Sequence, residues 1–531
     1  MKARNVLVAT VGCLVLIAAP LTTASAAPTI EDDIVVTSFD DTPIVATLML
    51  PEGASAANPV PVILKTHGWG GTREVAPAGV TERLLNKGYA IFTWDARGFG
   101  QSGGEANIDS PEFEVKDTIK LIDYLATRPE IQKDAPGDIR AGWIGVSYAG
   151  GIQLNTSAFD HRVDALVPEI PWADLVQDLF PNGVVKRSWD QLLYGAGAAS
   201  ATTEGIGSPA GPQTGVYAQQ IHQAQAEGTS TGSISQPIQD WFYDKSTVIR
   251  SHLITVPTMI MQGTVDTLFP LEDGYANYLN LVKRARVPAK LVTFCGGHTL
   301  GCNYPGGATG DPSESGEFDH YDDLIVNWID YYVKGDKSVD IGPALEWQAQ
   351  TGHYYGASKY PAPGTKNLRT KQFSTGPLAG PGESGGDQPA SGAPAPEQEL
   401  GATAARERVL AKSKRARAII GIPKVRLRGT VTGAEAAYVF FELVDRAPDG
   451  TLVTLDDQTM PLKLVAGDVR GTVALHGVSW LVQPKHTVFL EITTGSTQYD
   501  TARTGPYTVD LKARTTLPLT RKGVRKGDRT A

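Results

Sequence analysis

Arg140 to Gly150 reads R-A-G-W-I-G-V-S-Y-A-G, an apolar strand-forming run that breaks at Gly145, turns at Ser147 and continues into small residues suited to a helix. A serine at the apex of such a junction sits on a strained backbone, and small neighbours let strand and helix approach closely enough to permit it. Gly145 lies two residues before Ser147 and Ala149 two after, so the G-x-S-x-G pattern holds except at its last position, where alanine is still small. Read this way, Ser147 is a nucleophile raised at the carboxyl end of a strand; the plainer alternative is a structural turn.

The surrounding chain supplies the context. From about Ile34 to Lys334, short β-branched runs alternate with helical patterns, the signature of a mostly parallel α/β sheet with helices on both faces. Strands are expected at Ile44 to Met49, Val60 to Thr66, Ala90 to Trp94, Arg140 to Gly145, Ala165 to Pro168, Thr258 to Gln262 and Lys290 to Phe294. The clearest helix is Pro111 to Thr127, with Ser110 as its cap and Ile119, Ile122 and Leu125 spaced for one face. Trp172 to about His252 interrupts the alternation and is long enough to form a helical cap over the sheet. These elements define a catalytic domain over residues 27–340 with a cap insertion at about 172–252. A connecting segment (341–377) and a flexible linker or loop (378–405), rich in Gly, Pro and Ser, follow. Residues 406–515 read as an all-β sandwich, with strands at Val439 to Leu443, Leu452 to Leu455, Gly471 to Leu481, Thr487 to Thr493 and Tyr507 to Lys512. Residues 516–531 form a basic tail.

The 531 residues are 41% hydrophobic and 20% charged, which excludes a disordered or collagen-like polymer, and the length suits two to four domains. A formal charge of −9 argues against a nucleic-acid partner, whose binding needs a basic face. Lys2 and Arg4 precede an apolar run from Val6 to Ala19, and Ala24-Ser25-Ala26 is a small-x-small site, so residues 1–26 read as a signal peptide cleaved after Ala26. No later run reaches about 18 apolar residues. The mature chain is therefore expected to be exported, without stable membrane insertion, and to carry a charge of −11. Cys13 leaves with the signal. Cys295 and Cys302 are expected to form a local disulfide enclosing His298, two thiols being too few for a metal site. No cofactor and no metal are expected, and the partner is a small peptide or ester substrate; the oligomeric state is not legible.

A serine hydroxyl needs a base to take its proton and an acid to orient that base. Thr258 to Asp266 reads T-M-I-M-Q-G-T-V-D, a buried strand whose following turn presents Asp266, with Asp273 as nearest competitor. Lys290 to His298 reads K-L-V-T-F-C-G-G-H, another strand whose glycine-rich exit presents His298. The order Ser147, Asp266, His298 suits this fold. His67 to Gly71, H-G-W-G-G, follows a strand, and the backbone N–H groups of Trp69 and Tyr148 are candidates for an oxyanion hole. No Lys-Ser/Thr follows, which disfavours a phosphate cradle. Trp94 to Gly104 reads as a turn shaping the rim, with Arg97 tied to nearby carbonyls or acids.

Taken in order, H-G-W-G-G, D-A-R-G-F-G-Q-S-G-G, G-V-S-Y-A-G, G-T-V-D-T-L-F-P and G-G-H resemble the Xaa-Pro dipeptidyl-peptidase and cocaine esterase family of serine hydrolases. Tyr148 and the D-T-L-F-P from Asp266 discriminate most. The resemblance covers most of the mature chain. It implies an α/β-hydrolase domain with a helical cap and a C-terminal jelly roll, Ser147, Asp266 and His298 as triad, and Tyr148 as one oxyanion donor. Members of that family place a tyrosine hydroxyl in the hole upstream, whereas this segment carries Trp69, whose indole cannot replace it in the same geometry.

Substrate recognition is less defined. A dipeptidyl-peptidase must hold a free α-ammonium, for which Glu169, Asp174, Asp178 and Asp190 are candidates; Trp172, Trp189, Trp241, Phe242 and Tyr243 could line an acyl pocket or form the cap core. The basic cluster Lys412, Lys414, Arg415, Arg417, Lys424, Arg426 and Arg428 reads most simply as a solvated edge, and otherwise as a contact with an anionic cell surface. Three functions are compatible with these residues: a peptidase releasing X-Pro dipeptides, a carboxylesterase or acylase acting on a small or cell-envelope acyl ester, and a secreted carbohydrate-binding protein without catalysis.

Overall fold

The computed structural model describes residues 28–204, 216–298, 317–350, 352, 354–380, 403–500 and 504–520. The expected signal peptide with Cys13, Cys302, most of the expected linker and residues 521–531 lie outside them.

Ten strands build one sheet: β1 (Thr29–Thr37), β2 (Pro43–Leu50), β3 (Val62–Thr66), β4 (Ala90–Trp94), β5 (Ala141–Val146), β6 (Ala165–Glu169), β7 (Thr258–Gly263), β8 (Ala289–Phe294), β9 (Leu345–Gln348) and β10 (Tyr354–Ala357). Their order is β1-β2-β4-β3-β5-β6-β7-β8-β9-β10. Pairs from β4 through β9 are parallel, and those involving β1, β2 and β10 are antiparallel. Central strands such as β4 (A-I-F-T-W) are buried throughout, as parallel strands covered on both faces must be. The chain passes from β3 outward to β4 and then returns across β3 to β5. This reversal opens a crevice at the carboxyl ends of β3 and β5, where α/β sheets bind their ligands. Ser147 follows β5 and His67 follows β3 at that crevice. This is an α/β-hydrolase architecture.

The helices are α1 (Val80–Asn86), α2 (Glu114–Thr127), α3 (Tyr148–Ser157), α4 (Leu175–Leu179), α5 (Arg187–Glu204), α6 (Gln219–Thr231), α7 (Gln236–Tyr243), α8 (Leu271–Asn280) and α9 (Glu317–Tyr332). Leu121, Ile122 and Leu125 of α2, Ile152 of α3 and Tyr275 of α8 join Phe92, Trp94 and Trp143 in one core. Leu84 and Leu85 of α1 and Leu324 and Trp328 of α9 cover the other face. The insertion between β6 and β7 carries α4 to α7, the expected cap. Helix α2 begins at Glu114, three residues later than the expected Pro111, because the Glu114 carboxylate accepts the N–H groups of Asn107 (2.5 Å) and Ser110 (2.9 Å) and holds the preceding residues in a turn.

Nine further strands form an antiparallel domain: β11 (Thr365–Arg369), β12 (Phe373–Gly380), β13 (Ala404–Leu410), β14 (Arg417–Gly421), β15 (Lys424–Arg446), β16 (Leu452–Ala474), β17 (Val478–Val482), β18 (Thr487–Thr493) and β19 (Tyr507–Thr520). The order is β13-β18-β15-β19-β14-β17, with β16 on β15 and both β11 and β12 on β19. Three expected boundaries move. Residues 341–377, expected as a connector, instead supply β9 and β10 to the first sheet and β11 and most of β12 to the second. Residues 378–380 and 404–405 are strand rather than linker, and 516–520 end β19 rather than beginning a tail. β10 to β12 lie at sheet margins and are mostly exposed or half-buried, and β9, although buried between β8 and β10, has only four residues, two of them polar, so none shows a clear alternation. Conversely, Val439–Leu443 and Leu452–Leu455 are only parts of two 23-residue strands, and Gly471–Leu481 is interrupted at 475–477 between β16 and β17. Among the described residues no helix is long and apolar enough to cross a membrane.

Candidate active site

Ser147 has φ 61° and ψ −116°, a conformation that L residues rarely adopt. The strain is held from both sides: its N–H donates to the Glu169 carbonyl at the end of β6 (2.8 Å), and its carbonyl accepts from Gly150 (2.7 Å) and Gly151 (3.0 Å) to start α3. Gly145 has φ 156°, and a Cβ there would stand 2.6 Å from the Cβ of Ala149. The glycine before the serine thus makes room for the alanine after it, which accounts for the altered last position of the motif.

His298 and Asp266 arrive from the ends of β8 and β7. His298 Nε2 is 2.7 Å from Ser147 Oγ, and His298 Nδ1 is 2.7 Å from Asp266 Oδ2. The carboxylate is fully buried and also accepts the backbone N–H groups of Leu268 (2.9 Å), Phe269 (3.0 Å) and His298 (3.1 Å). An acceptor so placed requires Nδ1 to carry the proton, leaving the Nε2 lone pair toward the serine hydroxyl. Gly297, at φ 140°, is needed because a Cβ would meet the Asp266 Cβ at 2.5 Å. Phe269 (5.0 Å) and Trp189 (6.0 Å) stand edge-on to the imidazole and fix its plane. Cys295 is disulfide-bonded; Cys302, its expected partner, lies outside the described residues.

The loop after β3 closes the other side. Gly68 faces Ser147, since a Cβ on it would stand 3.9 Å from the Ser147 Cβ. His67 is buried. Its Nε2 accepts the Ala96 N–H (2.9 Å), so its Nδ1–H donates to the Gly68 carbonyl (2.8 Å), and burial lowers its pKa and keeps it neutral. Trp69 donates its indole N–H to the Leu193 carbonyl of the cap (2.9 Å) and stacks on Tyr217. That indole is committed to the cap, and only the backbone N–H of Trp69 remains for an oxyanion. The Tyr148 hydroxyl faces away from the serine, between the Asp109 N–H (3.3 Å) and Glu114 Oε1 (3.4 Å).

Burial raises the Glu114 carboxyl to about 7 and the neighbouring Asp109 well above its ordinary range. A carboxyl with a raised folded-state pKa binds more protons folded than unfolded, so the contribution of Glu114 to stability is full below about 4.5 and is lost as pH rises through about 7. Urea unfolding midpoints measured across that window are expected to decline with pH, and Glu114→Gln to flatten the decline.

The four candidate carboxylates separate. Asp174 caps α4 through the N–H groups of Val176 and Gln177. Asp178 is buried against Asp273 and Lys186, and Glu169 is half-buried near Lys65. Asp190 alone of the four lines the cavity that opens over Ser147. That cavity is walled by Trp172 and Phe242 together with Ile108, Leu179, Phe180 and Ile221. Trp189 instead donates to Thr267 Oγ1 (3.0 Å) beside His298, and Trp241 packs over the Lys245 ammonium (4.2 Å). Tyr243 is exposed. Asp273, the competitor to Asp266, belongs to the Asp178 cluster. Arg97 is held by Asp117 and Asp40 and lies over the rings of Phe39 and Phe113, the structural role expected of it.

Two positioning contacts were not read from the sequence. Lys186 Nζ donates to the Leu268 carbonyl (3.0 Å), and Gln458 of β16 donates to the Asp266 carbonyl (2.9 Å). Both grip the acid loop from elements distant in sequence, with no local motif to mark them. Among the described residues no group of three His, Cys, Asp or Glu side chains could hold a metal ion.

Residues 40–299 match the sequence profile of the X-Pro dipeptidyl-peptidase (S15) family. An uncharacterized 31.7 kDa protein from Escherichia coli is 31% identical over 145 residues, 27% of this chain and 47% of that protein, so the chain spans about half the length of this curated relative. A CocE/NonD family hydrolase from Staphylococcus aureus has a similar structure, with TM-score 0.68 and 13% identity, covering 93% of this chain and 94% of that one. An alpha-amino acid ester hydrolase gives TM-score 0.66 at 14% identity, covering 95% and 100%. At these identities the two structures speak for the fold, which extends over both domains.

Proposed function

Residues 40–299 being a serine-hydrolase domain of the X-Pro dipeptidyl-peptidase (S15) family, we propose that Ser147 is the nucleophile, His298 the general base and Asp266 the orienting carboxylate of an exported enzyme that works through an acyl-enzyme. The observation that carries this reading is the chain of two 2.7 Å contacts from Ser147 through His298 to Asp266. Ser147 Oγ attacks the substrate carbonyl carbon while His298 Nε2 takes the hydroxyl proton, and Asp266 stabilises the imidazolium without itself being protonated. The oxyanion is met by the backbone N–H groups of Trp69 and Tyr148, each such donor being worth about 10² to 10³ in rate. Collapse expels the alcohol or amine with the proton from His298. Water, deprotonated by the same imidazole, then frees the acid and restores the serine. Export rests on the leader pattern of residues 1–26.

The bond cleaved is a peptide or ester bond, and the family favours an X-Pro-type peptide. Asp190 in the cavity supports this choice: burial raises its carboxyl well above the ordinary range, and a bound α-ammonium would restore its charge. A second reading, a carboxylesterase, is favoured by the apolar walls of the same cavity. Stopped-flow release of chromophore from an X-Pro anilide and from aryl esters of increasing acyl length separates the two. An acyl-enzyme gives a burst with an aryl ester equal to the enzyme concentration. If esters are preferred, kcat/KM should rise about fourfold per methylene while the chain fills the cavity, from about 0.8 kcal/mol per buried methylene. Faster turnover of the anilide would sustain the peptidase, and absence of a burst where deacylation limits the rate would contradict the mechanism.

A further inference from the structure

We infer that the solvent face of the β15–β16–β19 sheet is a binding site for a linear anionic polysaccharide. Strand β15 alternates strictly over its first half: Val425 and Leu427 are buried, while Lys424, Arg426 and Arg428 are exposed. In β19, Leu511 and Ala513 are buried and Lys512 and Arg514 exposed; in β16, Val473 is buried and Arg470 exposed. The register brings these side chains together. Arg428 lies directly opposite Arg470 on one side and Lys512 on the other, and Arg426 lies opposite Arg514. Residues facing each other across a ladder point to the same face, about 4.8 Å apart across strands and about 6.8 Å apart along them at every second position. The result is a flat array of six cations on a chain whose formal charge is −9.

Like charges set directly opposite destabilise a sheet. Among the described residues, the ion pairs within this domain are Arg406–Glu491 and His486–Asp445, and none involves the six. Asp468 and Asp510 stand only in the next row, flanking Thr430 at one end of the array. Four of the six cations are arginines, whose planar forks suit carboxylate and sulfate oxygens. Thr472 and Thr516 sit within the same rows and add hydroxyls for sugar hydroxyl groups. No large apolar side chain occupies these rows to enter a bilayer, which favours a polysaccharide over a lipid surface.

The experiment is fluorescence anisotropy of a labelled heparin oligosaccharide with the full chain at rising NaCl, with inorganic polyphosphate and vesicles of equal parts phosphatidylglycerol and phosphatidylcholine as parallel arms. Six contacts at about −0.7 each predict a slope of log K against log salt of about −4, a loss of about 250-fold between 50 and 200 mM. The triple variant Arg426→Ser, Arg428→Ser, Arg514→Ser should reduce the slope to about −2. Its melting temperature and ester turnover report on folding. A wild-type slope near −1, a slope that the triple variant leaves unchanged, or tighter binding to polyphosphate or to vesicles than to heparin would each overturn the assignment.

Discussion

Ser147→Ala is expected to lower kcat by about 10⁶-fold, whichever substrate proves best, with KM little altered. The alanine keeps the elbow: φ 61° is set by the Glu169 carbonyl and by the first turn of α3, and none of those bonds uses the hydroxyl. What disappears is the atom 2.7 Å from His298 Nε2. Because the groups act as a unit, adding His298→Ala to Ser147→Ala should cost almost nothing more. Additive losses in the double variant would mean that the two side chains act in separate steps.

Asp266→Asn is expected to lower kcat by about 10⁴-fold while preserving the loop's position. The native carboxylate accepts four N–H groups, two at each oxygen. An amide offers acceptors at one atom only. With its oxygen toward Leu268 and Phe269, its NH₂ would face the His298 ring and require the opposite tautomer, putting a proton on Nε2 where the serine hydroxyl needs a lone pair. With the amide reversed, two backbone donors are left without acceptors in a buried site, at about 1–3 kcal/mol each. Crystallography of the variant with pH–rate profiles distinguishes these outcomes. A kcat within tenfold of wild type would show that Asp266 does not orient the base. Gln458→Leu removes one grip on the same loop and should cost far less.

The legible parts of the sequence are those where one backbone segment sets the geometry. The elbow at Gly145–Ser147–Ala149 and the Gly297–His298 exit were readable because glycines mark close approaches, and the strands before them are mostly apolar, with Lys290 and Thr293 the polar residues of β8. Long apolar strands advertise themselves; β9, buried between β8 and β10, is only L-E-W-Q, and β10 to β12, at the sheet margins, are mostly exposed or half-buried. Contacts made across domains had no signal. Gln458 reaches Asp266 from 192 residues away, and the fate of the Trp69 indole depends on a cap carbonyl at Leu193. The six-cation array shows both sides: Lys424, Arg426 and Arg428 are visible as a cluster, but only strand register adds Arg470, Lys512 and Arg514 to it.

The central claim is that the imidazole of His298 makes the hydroxyl of Ser147 nucleophilic. Incubation with a fluorophosphonate followed by peptide mass mapping measures this directly. One phosphonyl group should be found per chain, on Ser147, with loss of turnover in proportion to labelling, and His298→Ala should abolish the reaction. An adduct on another residue, or full turnover by protein already phosphonylated at Ser147, would contradict the account.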